Sequence, residues 1–202
     1  MKTEIRHFPI EELRVEEVEG KRVIAGYAAV FNKLSVDLGG FVERISKGAF
    51  QESIKSADVR ALWSHNIDMP LGRTANKTLT LTEDEHGLLF KLELPDTNVG
   101  RDAFTSIKRG DVSGMSFGFR VPAGGSVWER GKESGPHTRT LLKIDLLEVS
   151  PTAFPAYPGT EVSTRDARSV LQEAEELWAK ESPQHSTDSL RTRQLRAEAP
   201  II

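Results

Sequence analysis

The run Asp111-Val112-Ser113-Gly114-Met115-Ser116-Phe117-Gly118-Phe119-Arg120 constrains this chain most: it is apolar and strand-like, with a serine held between two glycines. Glycine on both sides leaves the backbone approachable and clears room for a neighbouring segment. Serine is a weak nucleophile until a base takes its proton, so a chemical role for Ser116 requires a base elsewhere in the chain. Trp63-Ser64-His65-Asn66 supplies the candidate. Imidazole, with an ordinary pKa of about 6.5, takes and returns a proton near neutrality. A third group must orient the ring, and Asp145 and Glu148 offer carboxylates in one predicted strand. Their spacing projects them to opposite faces of a regular strand, so only one can reach the histidine.

Gly114-Met115-Ser116-Phe117-Gly118 also fits the G-x-S-x-G spacing of a hydrolase nucleophile elbow. That elbow requires a helix directly after the serine, and an acid and a histidine later in the chain. Here Phe119-Arg120-Val121-Pro122 continues as strand into a glycine loop, and the later histidines, His137 and His185, fall in a loop and in the tail. The elbow reading fails on context.

Composition narrows the function classes. A net charge of -3 gives no electrostatic case for nucleic acid or an anionic membrane as partner. With no cysteine, disulfides, thiolate metal sites and a cysteine nucleophile are excluded. His65, His86 and His137 lack the i, i+4 spacing of a zinc site, so neither metal nor cofactor is expected. The N-terminus shows no apolar segment behind its basic residues, and no run approaches the roughly 20 apolar residues of a membrane helix. A soluble, cytoplasmic protein is the expectation.

Along the chain, residues 1–31 read as strands and Ser46–Ser56 as a short helix capped by Ser46. Val59–Trp63 reads as a strand. Thr78–Thr82 and Leu88–Leu94 alternate strictly around a polar turn ending in Gly87, which predicts an antiparallel hairpin. Thr97 or Asn98 caps a helix running to Arg109, stopped by Gly110. Pro122–Pro136 reads as loop, Thr140–Val149 as one strand, and Ser169–Lys180 as an amphipathic helix. Residues 182–202 are polar and lack a core, the composition of disorder. About seven mostly antiparallel strands with two or three covering helices predict an α+β fold with a β-barrel-like core.

Several stretches together resemble the prohead maturation serine proteases of tailed bacteriophages, related in fold to the herpesvirus assemblins. They are Gly26-Tyr27-Ala28-Ala29-Val30-Phe31, Gly48-Ala49-Phe50, Leu62-Trp63-Ser64-His65-Asn66 with Pro70-Leu71-Gly72-Arg73, and Gly87-Leu88. Ser113-Gly114-Met115-Ser116-Phe117-Gly118-Phe119 follows, then Leu147-Glu148-Val149-Ser150-Pro151 running into Phe154-Pro155-Ala156. They keep the family's order over roughly residues 20–160. The resemblance implies an assemblin-like fold, a protease domain over 1–164 and a polar tail over 165–202 with one short helix. It implies His65 as general base and Ser116 as nucleophile, with Ser113 on the opposite strand face. It favours Glu148 over Asp145 as third member, where assemblins use a second histidine. Asn66 departs from the acidic residue the family often carries after the histidine. Arg120 is a candidate helper for the oxyanion. The implied setting is the immature capsid in the host bacterial cytoplasm. There such a protease cleaves the scaffolding protein or the scaffolding segment of the major capsid protein, and then itself. A homodimer is implied by analogy with assemblins. The alternative, from another class, is a non-enzymatic capsid-assembly or scaffolding protein of the same fold, against which the intact His65, Ser116 and carboxylate argue.

Overall fold

The computed structural model describes residues 2–132, 135–153 and 161–181. Its largest sheet has the order β1-β9-β12-β5-β6, formed by Glu4–Pro9, Gly114–Arg120, Asp145–Thr152, Arg60–Trp63 and Asn66–Arg73. All its neighbours are antiparallel except β12 and β5. A second, four-stranded antiparallel sheet has the order β2-β3-β8-β7, from Glu11–Val18, Lys21–Val30, Gly87–Leu94 and Leu79–Glu83. A third, of order β10-β11-β4, joins Ser126–Glu129, His137–Leu141 and Phe41–Ile45. Three helices complete the described residues: α1 (Gln51–Ser56), α2 (Asn98–Arg109) and α3 (Glu161–Glu181). No helix among them is long and apolar enough to cross a membrane.

The architecture is α+β, and among the described residues no sheet closes into the expected barrel. The five-stranded sheet ends at β1 and β6, which do not pair with each other. At the β6 end the ladder is also irregular: Trp63 pairs with Asn66 and Leu62 with Pro70, which leaves Ile67–Met69 looped off it.

The predicted hairpin forms β7 and β8, and Leu88, Phe90, Leu92 and Leu94 face the core as their alternation requires. Helix α2 begins where its cap predicts: the Thr97 side chain accepts from the Gly100 N–H, and Gly110 adopts φ +83 at the end. It buries Ala103, Phe104 and Ile107. Helix α1 starts later than predicted, with Phe50 rather than Ser46 at its cap, and the Phe50 N–H is taken by Glu83. Two expectations fail between 122 and 149. Val127 and Trp128 belong to a hairpin of β10 and β11, and the single strand expected over Thr140–Val149 is two strands in different sheets. The chain changes sheet at Leu142–Ile144, where the N–H groups of Leu142 and Lys143 donate to Gly125 O and that of Ile144 to Ala49 O. Helix α3 spans more than the predicted Ser169–Lys180. Its Val170 buries with Phe41 in a small second cluster, beside Trp128 and Leu171. The expectation of disorder over 182–202 lies outside the described residues.

A buried ionic cluster ties β1 to the third sheet. The Arg6 guanidinium meets Glu43 at 2.7 Å and Glu4 at 2.8 Å, and Arg139 meets Glu4 at 2.6 Å and Glu43 at 3.0 Å. Burial alone raises the Glu4 carboxyl, but the hydrogen bond and charge of Arg139, with those of Arg6, outweigh it and hold it below 4.5. Removing one member leaves a buried charge uncompensated, so Glu43→Ala is expected to cost about 3–5 kcal/mol in urea unfolding. Glu4 titrates lower folded than unfolded. Its share of stability is therefore present above the unfolded value of 4.5 and is lost as pH falls through the folded value, a slope that unfolding at stepped acid pH measures.

Candidate active site

Strand β9 separates core from site. Met115, Phe117 and Phe119 point into the core with no exposed surface, while Gly114, Ser116 and Gly118 alternate onto the other face. Each neighbour places a polar residue opposite Ser116: His7 from β1 and Ser150 from β12. Ser116 is fully buried, and its Oγ donates to the carbonyl of Arg6 at 3.0 Å.

His65 arrives from the hairpin joining β5 and β6. Ser64 and His65 form its two-residue turn, at φ +50 and +63, between the paired Trp63 and Asn66. Left-handed backbone at a non-glycine residue costs on the order of 1–3 kcal/mol and persists only where the surroundings impose it. Strand β12 imposes it: the His65 N–H donates to Ser150 Oγ at 3.1 Å, and that of Ser64 to the Pro151 carbonyl at 3.3 Å.

The turn sets the His65 ring against Glu148, with Nδ1 2.7 Å from Oε1. The second carboxylate oxygen accepts the Ser150 hydroxyl at 2.5 Å, so both oxygens are engaged at only 14% side-chain exposure. A carboxylate at Nδ1 fixes the neutral tautomer with its proton there, leaving Nε2 as the acceptor. Nε2 is buried and has no hydrogen-bond partner. Gly118, opposite Glu148, makes the space: a Cβ there would lie 2.7 Å from Glu148 Oε1.

Asp145 does not sit on the opposite face, as a regular strand would require. The register shifts between Leu146 and Glu148, and the extra residue brings Asp145, opposite Arg120, and Glu148, opposite Gly118, to the same face. Asp145 remains at the start of the strand, away from His65. Arg120 is exposed, and its Nε donates to Thr3 at 3.4 Å. Four strand positions separate it from Ser116, roughly 13 Å. Ser113 is exposed before β9 begins, its carbonyl bonded to Ile10 N.

Sequence reasoning missed His7 and the double role of Ser150. The His7 ring packs edge-on against His65 with centroids 5.7 Å apart. Burial first, then the charges of His65 and Arg6, hold His7 below the ordinary histidine value, against a smaller upward pull from Glu148. A lone histidine in an N-terminal strand carries no spacing signal; only the pairing of β1 with β9 brings it here. Among the described residues, no three His, Cys, Asp or Glu side chains gather as metal ligands.

Gly118→Ala tests the arrangement. The Glu148 side chain must shift to admit the methyl group, so stability is expected to fall by about 1.5–3 kcal/mol, the worth of a hydrogen bond to a charged group. The His65–Glu148 bond is expected to break, seen as loss of the downfield Nδ1 proton resonance in the NMR spectrum.

Comparisons with known proteins give the family and the fold. The sequence model described as "Caudovirus prohead serine protease" matches residues 11–173. Among solved structures, the capsid assembly protease gp21 of bacteriophage T4 superposes with a TM-score of 0.52, covering 75% of this chain and 98% of that one. The two are 8% identical, so the likeness is one of fold. No curated protein sequence matches significantly. With most of its length inside the family match, the chain belongs to the caudovirus prohead serine proteases.

Proposed function

We propose that the chain is a serine endopeptidase of procapsid maturation, acting by acyl transfer through Ser116, His65 and Glu148. The observation that carries this reading is the 2.7 Å bond from His65 Nδ1 to Glu148, which leaves Nε2 unpartnered on the sheet face that holds Ser116. Ser116 Oγ turns from the Arg6 carbonyl, gives its proton to His65 Nε2 and bonds the peptide carbonyl carbon. Glu148 steadies the imidazolium, and Ser150, bonded to the other carboxylate oxygen, fixes the carboxylate. When the intermediate collapses, the C–N bond breaks and His65 protonates the leaving amine. Water then releases the acyl group by the same steps.

The substrates of this reading are the scaffolding protein or the scaffolding segment of the major capsid protein, inside the immature capsid in the host cytoplasm, followed by the protease itself. The catalytic unit is residues 1–164, and the polar segment 165–202 is its packaging or self-cleavage tail. Assembly as a homodimer follows the assemblin analogy, and an active monomer in ultracentrifugation would remove it.

Co-expression with the major capsid protein, read by mass spectrometry, tests the reading. Wild type is expected to trim the capsid protein and itself, while Ser116→Ala and His65→Ala leave both whole. If all three trim alike, the nucleophile is not Ser116 and Ser113 is tested next; if none trims, the chain serves as a scaffold and not as a protease. Glu148→Gln keeps the shape but loses the carboxylate that sets the tautomer, and is expected to lower kcat on the order of 10³–10⁴-fold. Asp145→Asn is expected to stay within about twofold of wild type, consistent with ordinary surface substitution.

A further inference from the structure

Among the described residues five buried side-chain polar atoms lack a hydrogen-bond partner, and three of them gather around Ser116: His7 Nδ1, His65 Nε2 and Thr152 Oγ1. Thr152, 7% exposed, lies two positions beyond Ser150 on β12, opposite Gly114, and so on the face of Ser116. His7 lies directly opposite Ser116 on β1. The Ile10 N to Ser113 O bond sets the alternation of that ladder and makes His7 and Ser116 one of its closer, non-hydrogen-bonded pairs. Their Cβ atoms are then about 4.5–5.5 Å apart, and a diagonal neighbour such as Thr152 about 7–8 Å from Ser116. Proton transfer accounts for His65 Nε2. Nothing in the triad accounts for the other two atoms, and burying a polar group without a partner is destabilising unless a ligand completes it.

Acyl transfer also has an unmet requirement. As the Ser116 Oγ–carbon bond forms, the carbonyl π pair moves onto oxygen, and that oxyanion needs preorganised donors. A nucleophile on a turn can offer its own N–H. Ser116 cannot, because β9 is laddered on both edges, and the alternation that leaves the His7 pair unbonded commits its N–H to β12. Arg120 lies too far along the strand, and the Ser150 hydroxyl is held by Glu148. We propose that His7 Nδ1–H and Thr152 Oγ–H are the oxyanion donors of this site, one from each strand flanking Ser116; the inference rests on Ser116 as nucleophile and His65 as base. Gly114, opposite Thr152, carries no side chain to stand between that hydroxyl and the reacting carbon. His7 serves as neutral imidazole beside a His65 that becomes cationic during the step, and its depressed proton affinity fits that role. Strand β1 precedes the residues the family model matches, so this donor is an assignment from the structure of this chain.

Labelling of the full chain with a biotinylated alkyl fluorophosphonate tests the assignment. Ser116 Oγ displaces fluoride, its proton passes to His65, and the phosphoryl oxygen takes the oxyanion position. Thr152→Val and His7→Leu are each expected to lower the second-order labelling rate by about 10²–10³-fold. Thr152→Ser and His7→Asn, which restore a hydroxyl or an amide N–H at the same place, are expected to recover most of it. Thr152→Val is isosteric and removes an unpaired buried hydroxyl, so its unfolding midpoint should not fall. A packing role for Thr152 would not separate rate from stability in this way, and this variant decides the matter alone should His7→Leu fail to fold. Wild-type labelling rates in Thr152→Val, with Ser116→Ala unlabelled, would overturn the donor assignment and leave the nucleophile standing. A wild-type chain that takes no label at Ser116 would overturn both.

Discussion

Strand β9 is bonded along both edges, and the alternation of its side chains divides the molecule. One face carries Met115, Phe117 and Phe119 into the core, where Phe117 meets Phe8 and Phe50 and Phe119 lies beneath the Arg6 guanidinium. The other face carries Ser116 between two glycines, with Arg120 at the exposed end of the strand. A slip of one residue would send the serine inward and a phenylalanine into the site, so the hydrophobic core fixes the register of the chemistry. The site needs no separate scaffold, because the burial that folds the sheet also aims its serine.

Charge is placed on both sides of that sheet, and in both places the carboxylates are paired. Behind β1, two arginines and two glutamates neutralise one another out of water. In front, Glu148 spends one oxygen on His65 and the other on Ser150, while Ser150 Oγ also receives the His65 backbone N–H. That closed circuit explains how a two-residue turn of Ser64 and His65 can hold a left-handed backbone usually left to asparagine and glycine. The strain in the turn is local, and β12 supplies the restraint.

Much of this was legible in the sequence wherever one element carries its own signal. The alternation of Leu88–Leu94 predicts its buried face, and Thr97 and Gly110 mark both ends of α2, since periodicity and caps are local properties. The residue types of His65, Ser116 and Glu148 were readable too, though their convergence depends on β12 lying between β9 and β5, which no single stretch encodes. The rest was hidden for the same reason. The extra residue near Leu147 exists only relative to its partner strand, and the two short strands around the 130s gain their definition from pairing with each other and, for β11, with β4. His7 acquires meaning only opposite Ser116.

The ladder partners of β9 are the first and last strands among the described residues: residues 4–9 on one edge and 145–152 on the other. Every pairing that assembles the site except the β5–β6 hairpin is therefore long-range, the kind of topology that folds slowly because chain closure precedes the contacts that reward it. During synthesis, β1, the His65 turn and β9 leave the ribosome well before the strand that carries Glu148 and Ser150. Until that strand emerges, His65 has no carboxylate, its turn has no restraint, and one edge of β9 stands open. A nascent chain thus holds Ser116 and His65 before the ladder that brings them onto one sheet is complete.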